Sequence, residues 1–329
     1  MGRQSSRIFF NMEDHKDIYF NKYYHKAMYI TDSECNLTLV WEKLPEETFE
    51  FWVQDTMINA YGETSIRYQS GEVEIYILGV YEESLTIDWG DGTVSKYEFP
   101  YKAIRHTYPT SDFTEYLVKV HGKILSFNAT DFYEGCITQM TMPLPATITS
   151  FSFYRAKSLR KICDYFFSAL KDTDIKSGFT FSGTGLKEVP SFIFSGLEDI
   201  NIIGCFSDCK DLDFISSSAF FGGSYLSGGG LFSGCESLKL IPSTLFAQGF
   251  ENVVYFDYCF KNASGLTEIP INLFYNCDLA KSFNETFCDC SNVTTAVPEL
   301  WTIQDAVGEG CYFNCIQAEN YWDIPTTWR

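Results

Sequence analysis

The 329-residue chain lacks the features that mark several large classes of protein. No apolar run reaches the ~18 residues of a transmembrane helix, so we expect no membrane insertion. No basic stripe is present: 24 Lys and Arg stand against 43 Asp and Glu, which gives a formal net charge of −19. Binding to nucleic acid or to an anionic membrane surface depends on such cations, and neither is expected. The start of the chain also lacks the apolar core of a secretory signal.

Catalytic and metal-binding motifs are missing as well. The sequence contains no H-E-x-x-H, G-x-S-x-G, Walker-type or G-x-G-x-x-G pattern. All four histidines precede residue 122, whereas eleven of the twelve cysteines follow it. A Cys–His nucleophile or a Cys/His zinc site would therefore have to join distant segments. We predict a protein that is not an enzyme and that holds no cofactor and no metal.

A sequence repeat with a period of about 26 residues occupies the C-terminal part of the chain. Its aromatic anchors are spaced 25 to 28 residues apart: Tyr154, Phe181, Phe206, Phe232, Phe260, Phe287 and Phe313. An aliphatic residue follows most anchors, and most copies then carry a proline and a second aromatic residue. A fixed period of this length predicts a solenoid in which equivalent side chains of successive turns stack as ladders.

The cysteines follow the same period. Three of them lie three residues after an anchor, at Cys209, Cys235 and Cys290. Buried free cysteines behave as small apolar residues, so this phase favours a cysteine ladder. A disulfide framework is the alternative.

The segment from Phe232 to Pro242 (F-S-G-C-E-S-L-K-L-I-P) resembles the BspA-type leucine-rich repeat. The likeness extends over some 180 residues, although the period here is longer than is usual in that family. It implies a leucine-rich-repeat-like solenoid, which we place at residues 124–329.

Residues 45–123 alternate between apolar and polar side chains, as half-buried strands do. The motif from Ile87 to Thr93 (I-D-W-G-D-G-T), followed by His106-Thr107-Tyr108, resembles the PKD-type immunoglobulin-like domain. That resemblance implies a β-sandwich, best interpreted as a spacer. Asp88 and Asp91 either cap the tight turn or bind calcium, and capping is the more common role.

Residues 1–44 contain short apolar clusters about ten residues apart, which predict a β arm. The phrases H-K-D-I-Y from His15, H-K-A-M-Y from His25 and W-E-K-L from Trp41 resemble N-terminal segments of structural proteins from gut bacteriophages of the crAss-like type. The likeness implies that this arm binds other virion proteins.

Strand alternation around the anchors predicts which side chains point outward. If Phe260 is buried, Tyr255, Asp257 and Cys259 face solvent. The same offsets give Asn284 and Thr286 in the next copy and Tyr312 in the last one. Tyrosine beside Asp, Asn and Thr suits a glycan or a polar protein, so we predict ligand binding at Tyr255, Asp257, Asn284, Thr286 and Tyr312.

The sequence thus predicts a mainly β protein with an N-terminal arm, a PKD-like sandwich and a repeat solenoid. The function expected is that of a non-enzymatic bacteriophage virion protein, of head or tail fibre or decoration type. Its solenoid would attach to a host surface protein or glycan, and its localisation would be the virion. We expect a homo-oligomer, although no heptad pattern enforces one. The alternative is a bacterial cell-surface adhesin.

Overall fold

The computed structural model describes residues 6–8, 18–20, 27–31, 37–42, 48–59, 61–65, 67–79, 83–98, 103–130, 134–170 and 180–329. The protein is mainly β and contains several sheets, as the sequence predicts. The chain divides into two compact units, residues 1–48 and residues 49–329.

The first unit contains a four-stranded antiparallel sheet. Its strands pair in chain order: β1 (Ser6–Ile8), β2 (Ile18–Phe20), β3 (Ala27–Thr31) and β4 (Leu37–Glu42). Strands β2, β3 and β4 contain the apolar clusters at residues 18–20, 28–30 and 39–41, whereas β1 shares only Ile8 with the first cluster. Short strands are therefore confirmed for the described residues. The phage-like phrases at His15 and His25 begin outside the described residues.

Two sheets begin the second unit. Their strands are β5 (Thr48–Ile58), β6 (Glu72–Gly79), β7 (Ser84–Asp88), β8 (Val94–Glu98), β9 (Ala103–Thr107), β10 (Glu115–His121), β11 (Ile124–Asn128), β12 (Gly135–Met140), β13 (Ser150–Ser152) and β14 (Lys161–Ile162). One sheet has the order β14-β12-β5-β10-β7-β8 and the other has the order β13-β11-β6-β9.

The two sheets pack face to face through alternating apolar residues. In β7, Leu85 and Ile87 are buried while Ser84, Thr86 and Asp88 are half-exposed. Phe49 and Phe51 of β5 place their rings 5.3 and 5.2 Å from that of Phe127 on β11. This contact joins one sheet to the other.

The predicted domain boundary at 123/124 falls inside these sheets. Strand β11 pairs antiparallel with β6, and β12 pairs antiparallel with β5. The first strands of the repeat then add in parallel, β13 to β11 and β14 to β12. The sheets therefore continue into the first coil of the repeat region, which we define as residues 150–329.

The repeat region consists largely of consecutive turns. Its regular elements are short: β15 (Glu188–Val189), β16 (Ile200–Asn201), β17 (Phe214–Ile215), β18 (Tyr225–Ser227) and 3-10 turns at Leu300–Thr302 and Tyr321–Asp323. Strands β15 and β17 pair in parallel, as do β16 and β18, so equivalent segments of different copies lie side by side.

A continuous ladder of seven aromatic rings runs through the repeat region. Neighbouring centroids are 5.2 to 5.7 Å apart along Phe153, Phe181, Phe206, Phe232, Phe260, Phe287 and Tyr312. The five central anchors were predicted correctly. The two terminal ones are corrected by one residue: Phe153 replaces Tyr154, and Tyr312 replaces Phe313, whose side chain is 55% exposed.

Backbone amides of each coil alternate between two kinds of acceptor. Around Phe260, every second amide donates to the next coil, at 2.8 to 2.9 Å: Phe256 to Ser282, Tyr258 to Asn284, Phe260 to Thr286 and Asn262 to Cys288. The amides of Cys259, Lys261 and Ala263 donate instead to the carbonyl three residues earlier, within their own turns. The coils are thus joined through hydrogen bonds although they contain little strand.

The cysteines form the predicted ladder. All eleven cysteines within the described residues are free, and ten of them are buried. Four thiols donate to the carbonyl of the preceding anchor at 3.1 to 3.2 Å: Cys209 to Phe181, Cys235 to Phe206, Cys290 to Phe260 and Cys315 to Phe287. Each of these carbonyls also accepts a hydrogen bond from the backbone amide three residues further along the chain, so the thiol supplies a second donor to the same oxygen.

We expect these thiols to resist alkylation in the native protein. Burial raises the pKa of Cys209 to about 11 and that of Cys315 to about 12. Relative to a thiol of pKa 9, the latter value lowers the thiolate fraction at neutral pH by about a thousandfold. Peptide mass spectrometry after iodoacetamide treatment should show modification of the buried ladder thiols only in denaturant. The half-buried Cys163 should react before them. Disulfide-linked peptides from native protein would contradict the ladder.

Candidate binding surface

Each coil turns through residues with left-handed backbone conformation on either side of its anchor. Two residues before the anchor, positive φ values occur at Gly204, Gly230, Tyr258, Glu285 and Gly310. Two residues after it, they occur at Arg155, Gly183, Asp208, Gly234, Asn262, Asp289 and Asn314. Glycine, asparagine and aspartate accept this conformation most readily, which explains their recurrence at these positions. Arg155, Tyr258 and Glu285 are the costly exceptions.

Tyr258 and Glu285 belong to one cluster at the surface. The Tyr258 ring is 45% exposed, and the Lys261 ammonium lies 5.4 Å from its centroid. Lys261 forms an ion pair with Glu285 of the next coil, and this hydrogen bond raises the pKa of the lysine. Backbone strain retained at an exposed aromatic residue favours a binding role for it.

The sequence did not single out Tyr258 or Lys261. Strand alternation assigned Tyr258 to the buried face together with Phe256 and Phe260. The glycines that occupy the position of Tyr258 in other copies of the repeat could have indicated that it lies in a turn. Because Gly204, Gly230 and Gly310 occupy the equivalent position, the backbone there is a turn, and strand alternation does not apply.

Of the five predicted site residues, Tyr255 is the most accessible, with 57% of its side chain exposed. Asp257 and Asn284 are half-buried, and their oxygens bond to the following coil. Asp257 Oδ1 accepts from the Asn284 amide at 2.7 Å, and Asn284 Oδ1 accepts from the Glu309 amide at 2.9 Å. Their role in the structure is therefore to connect coils, and only part of each side chain remains available to a ligand.

Thr286 and Tyr312 do not face solvent, and their prediction as outward residues is wrong. Both side chains are fully buried. The Thr286 hydroxyl donates to the Phe256 carbonyl at 3.0 Å, and the Tyr312 hydroxyl donates to the Pro298 carbonyl at 2.7 Å. Thr286 is buried because the segment is a series of turns. Tyr312 is buried because it is itself the last anchor.

The Trp89 motif closes the end of the sheet pair. Trp89 is fully buried and stacks on His106 with centroids 4.5 Å apart. Asp88 Oδ1 accepts from the Gly90 amide at 3.0 Å, and Asp91 Oδ1 accepts from the Thr93 amide at 2.9 Å. Both aspartates therefore cap the turn.

Asp91 also holds His106, whose Nε2 lies 2.8 Å from Asp91 Oδ2. Burial acts to raise the pKa of Asp91, but hydrogen bonds from Thr93 and His106 outweigh it, so this pKa is lowered. In the part of the chain that the structure describes, no three His, Cys, Asp or Glu side chains are grouped as metal ligands.

The described helical turns include none long and apolar enough to cross a bilayer. Comparison with known proteins gives no relative: no family model, no curated protein and no solved structure matches this chain.

Proposed function

We propose that the chain is a non-enzymatic structural protein of a bacteriophage particle, of head or tail fibre or decoration type. In this proposal the paired sheets are a PKD-like immunoglobulin-type spacer, and the repeat region is a leucine-rich-repeat-like solenoid. The solenoid attaches the particle to a host surface protein or glycan.

The observation that best supports a display function is the in-register ladder from Phe153 to Tyr312. Stacking buries the anchors of every coil and leaves an outward surface of residues such as Tyr255, Tyr258 and Lys261. Attachment needs an extended surface of this kind. The core thiols have raised pKa values, which makes them poor nucleophiles, in keeping with a protein that binds and does not catalyse.

The virion role depends on the N-terminal phrases that resemble phage structural proteins. Residues 1–44 bind other virion proteins in this proposal, and the chain assembles as a homo-oligomer. A bacterial cell-surface adhesin is the second candidate, because the Trp89 motif and the repeats resemble modules that also occur there.

Removal of residues 1–44 tests the anchoring role. We expect the full chain to co-purify with particles and the truncated chain to remain unbound, while residues 49–329, which form a separate compact unit, keep their fold. Circular dichroism of the truncated chain provides the folding control. Equal copy numbers of both forms on purified particles would refute the anchoring role.

A further inference from the structure

A cleft of about 480 Å³ lies where the sheets meet the first three coils of the repeat region. Tyr61 and Phe113 line it from the loops of the sheets, and Lys157, Arg160, Lys187 and Lys210 line it from the coils. A second hollow of about 370 Å³ shares Arg160 and Lys187 with it and adds Lys161 together with Glu115 and Glu188. Volumes of this size are typical of ligand sites.

The cleft is cationic in a strongly acidic protein. Four Lys and Arg side chains line it against one carboxylate, that of Asp211, whereas the whole chain carries a net charge of −19. A cationic site in an acidic protein is electrostatically complementary to an anionic ligand.

The repeat itself brings these cations together. Arg160 and Lys187 each follow a buried ladder leucine, and the Lys187 amide donates to the Arg160 carbonyl at 3.3 Å. In the next coil this position is Asp213, so the basic row ends there. Gly185 also lines the cleft, and a Cβ at this position would collide with the Lys157 carbonyl. Its missing side chain lets these coils approach closely.

Two of the cations are available for a ligand. Arg160 pairs with Glu115 at 2.7 Å, and Lys210 pairs with Glu236 at 2.7 Å. Lys157 and Lys187 form no ion pair with any residue that the structure describes. Charged groups of this kind bind carboxylate and sulfate groups through short hydrogen bonds.

The aromatic side of the cleft consists of two exposed residues from loops of the sheets. Tyr61 is 86% exposed at the tip of a loop in which Asn59 Oδ1 accepts from the amides of Tyr61 and Glu63. Phe113 is 52% exposed and has φ 66°, a conformation that costs an aromatic residue energy. Two exposed rings that line one cleft offer apolar faces to the rings of sugars.

We propose that this cleft binds an acidic polysaccharide, with sugar rings against Tyr61 and Phe113 and carboxylate or sulfate groups against Lys157 and Lys187. The inference rests on the proposed attachment to surface glycans, and it names both the ligand class and a site that the sequence did not predict.

The test is titration of the full chain with four polymers: polygalacturonate, dextran sulfate, neutral dextran and polyphosphate. We expect binding of at least one acidic sugar polymer, weakened by salt, and no binding of neutral dextran. Polygalacturonate carries carboxylates and dextran sulfate carries sulfates, so comparing them shows which group the cleft recognises. Polyphosphate contains no sugar and therefore measures binding through charge alone.

Two double variants locate the site. Lys157→Glu with Lys187→Glu should weaken binding about tenfold or more. Tyr61→Ala with Phe113→Gly should weaken sugar binding by a similar factor and leave polyphosphate binding unchanged, since glycine accepts the φ of residue 113. The matched control is Lys239→Glu with Lys281→Glu, an equal charge change on exposed lysines outside the cleft, and it should retain most of the affinity.

Three results would overturn the inference. The first is that neither acidic sugar polymer binds. The second is that the cleft charge variant and the control charge variant lose the same amount of affinity. The third is that the aromatic variant binds the acidic sugar polymers as tightly as the wild type does. None of these results bears on the particle-association experiment, so the cleft proposal and the virion proposal can be refuted independently.

Discussion

Replacing Phe260 with alanine is expected to lower the free energy of unfolding of the repeat region by about 3–5 kcal/mol. The ring is fully buried and stacks between Phe232 at 5.5 Å and Phe287 at 5.4 Å. Its removal leaves a cavity in the middle of the ladder, and neither flanking coil can move into it without disturbing its hydrogen bonds to the coil of Phe260. Hydrogen exchange of the Phe260 and Asn262 amides measures the loss locally.

Phe313→Ala is the matched control for this prediction. Phe313 has the same side chain and was the anchor expected from the sequence, yet it is half-exposed beside the true anchor, Tyr312. We expect a change within about 1 kcal/mol, since substitutions at the surface usually have small effects. A Phe260→Ala variant as stable as the wild type, or a Phe313→Ala variant as unstable as Phe260→Ala, would show that the ladder register is wrong.

Trp89→Ala is expected to destabilise the paired sheets by a comparable amount, about 3–5 kcal/mol. The indole stacks on His106, and the Tyr108 hydroxyl donates to the Trp89 carbonyl at 3.0 Å. Trp89 follows β7 of one sheet, whereas His106 belongs to β9 of the other, so its loss removes a contact between the sheets. Urea unfolding followed by circular dichroism measures the effect.

Val94→Ala is the control for the Trp89 variant. Val94 begins the strand beside β7 and pairs with Asp88, but its side chain is 64% exposed. We expect a change of about 0.5 kcal/mol or less. A Trp89→Ala variant that loses less than about 1 kcal/mol would mean that the sheets do not depend on this contact.

The interior of the ladder could be predicted from the sequence because no second aromatic residue is adjacent to any of the five central anchors. At the ends two aromatic residues are adjacent, Phe153 with Tyr154 and Tyr312 with Phe313, and the period alone allows either. The cysteine phase would have resolved the second pair. Cys315 lies three residues after Tyr312, as Cys209 does after Phe206, but only two after Phe313.

The solvent-facing residues of the repeat region could not be predicted correctly because extended strands were assumed around the anchors. Alternation of side chains holds for extended strands, and the anchors of this chain lie in consecutive turns. The inter-coil hydrogen bonds resemble those of a parallel sheet, yet positive φ at Tyr258 and Asn262 reverses the expected direction of their neighbours. Thr286 therefore lies in the core although the prediction placed it outside.

The cationic cleft was not predicted either, for a different reason. Lys157 and Lys187 are 30 residues apart and differ in their position within the repeat, so no local pattern connects them. Tyr61 and Phe113 come from loops of the sheets, and only the continuation of those sheets into the repeat region brings the four residues to one site. Net charge alone argued against any cationic surface.

The most direct test of the virion role is a count of this chain in purified native particles from its source, by quantitative mass spectrometry combined with imaging. The account predicts a fixed copy number that matches the symmetry of a head or tail position, with density for the chain at the particle surface. Absence from particles, together with fractionation of the chain with bacterial envelopes, would contradict it and favour the adhesin.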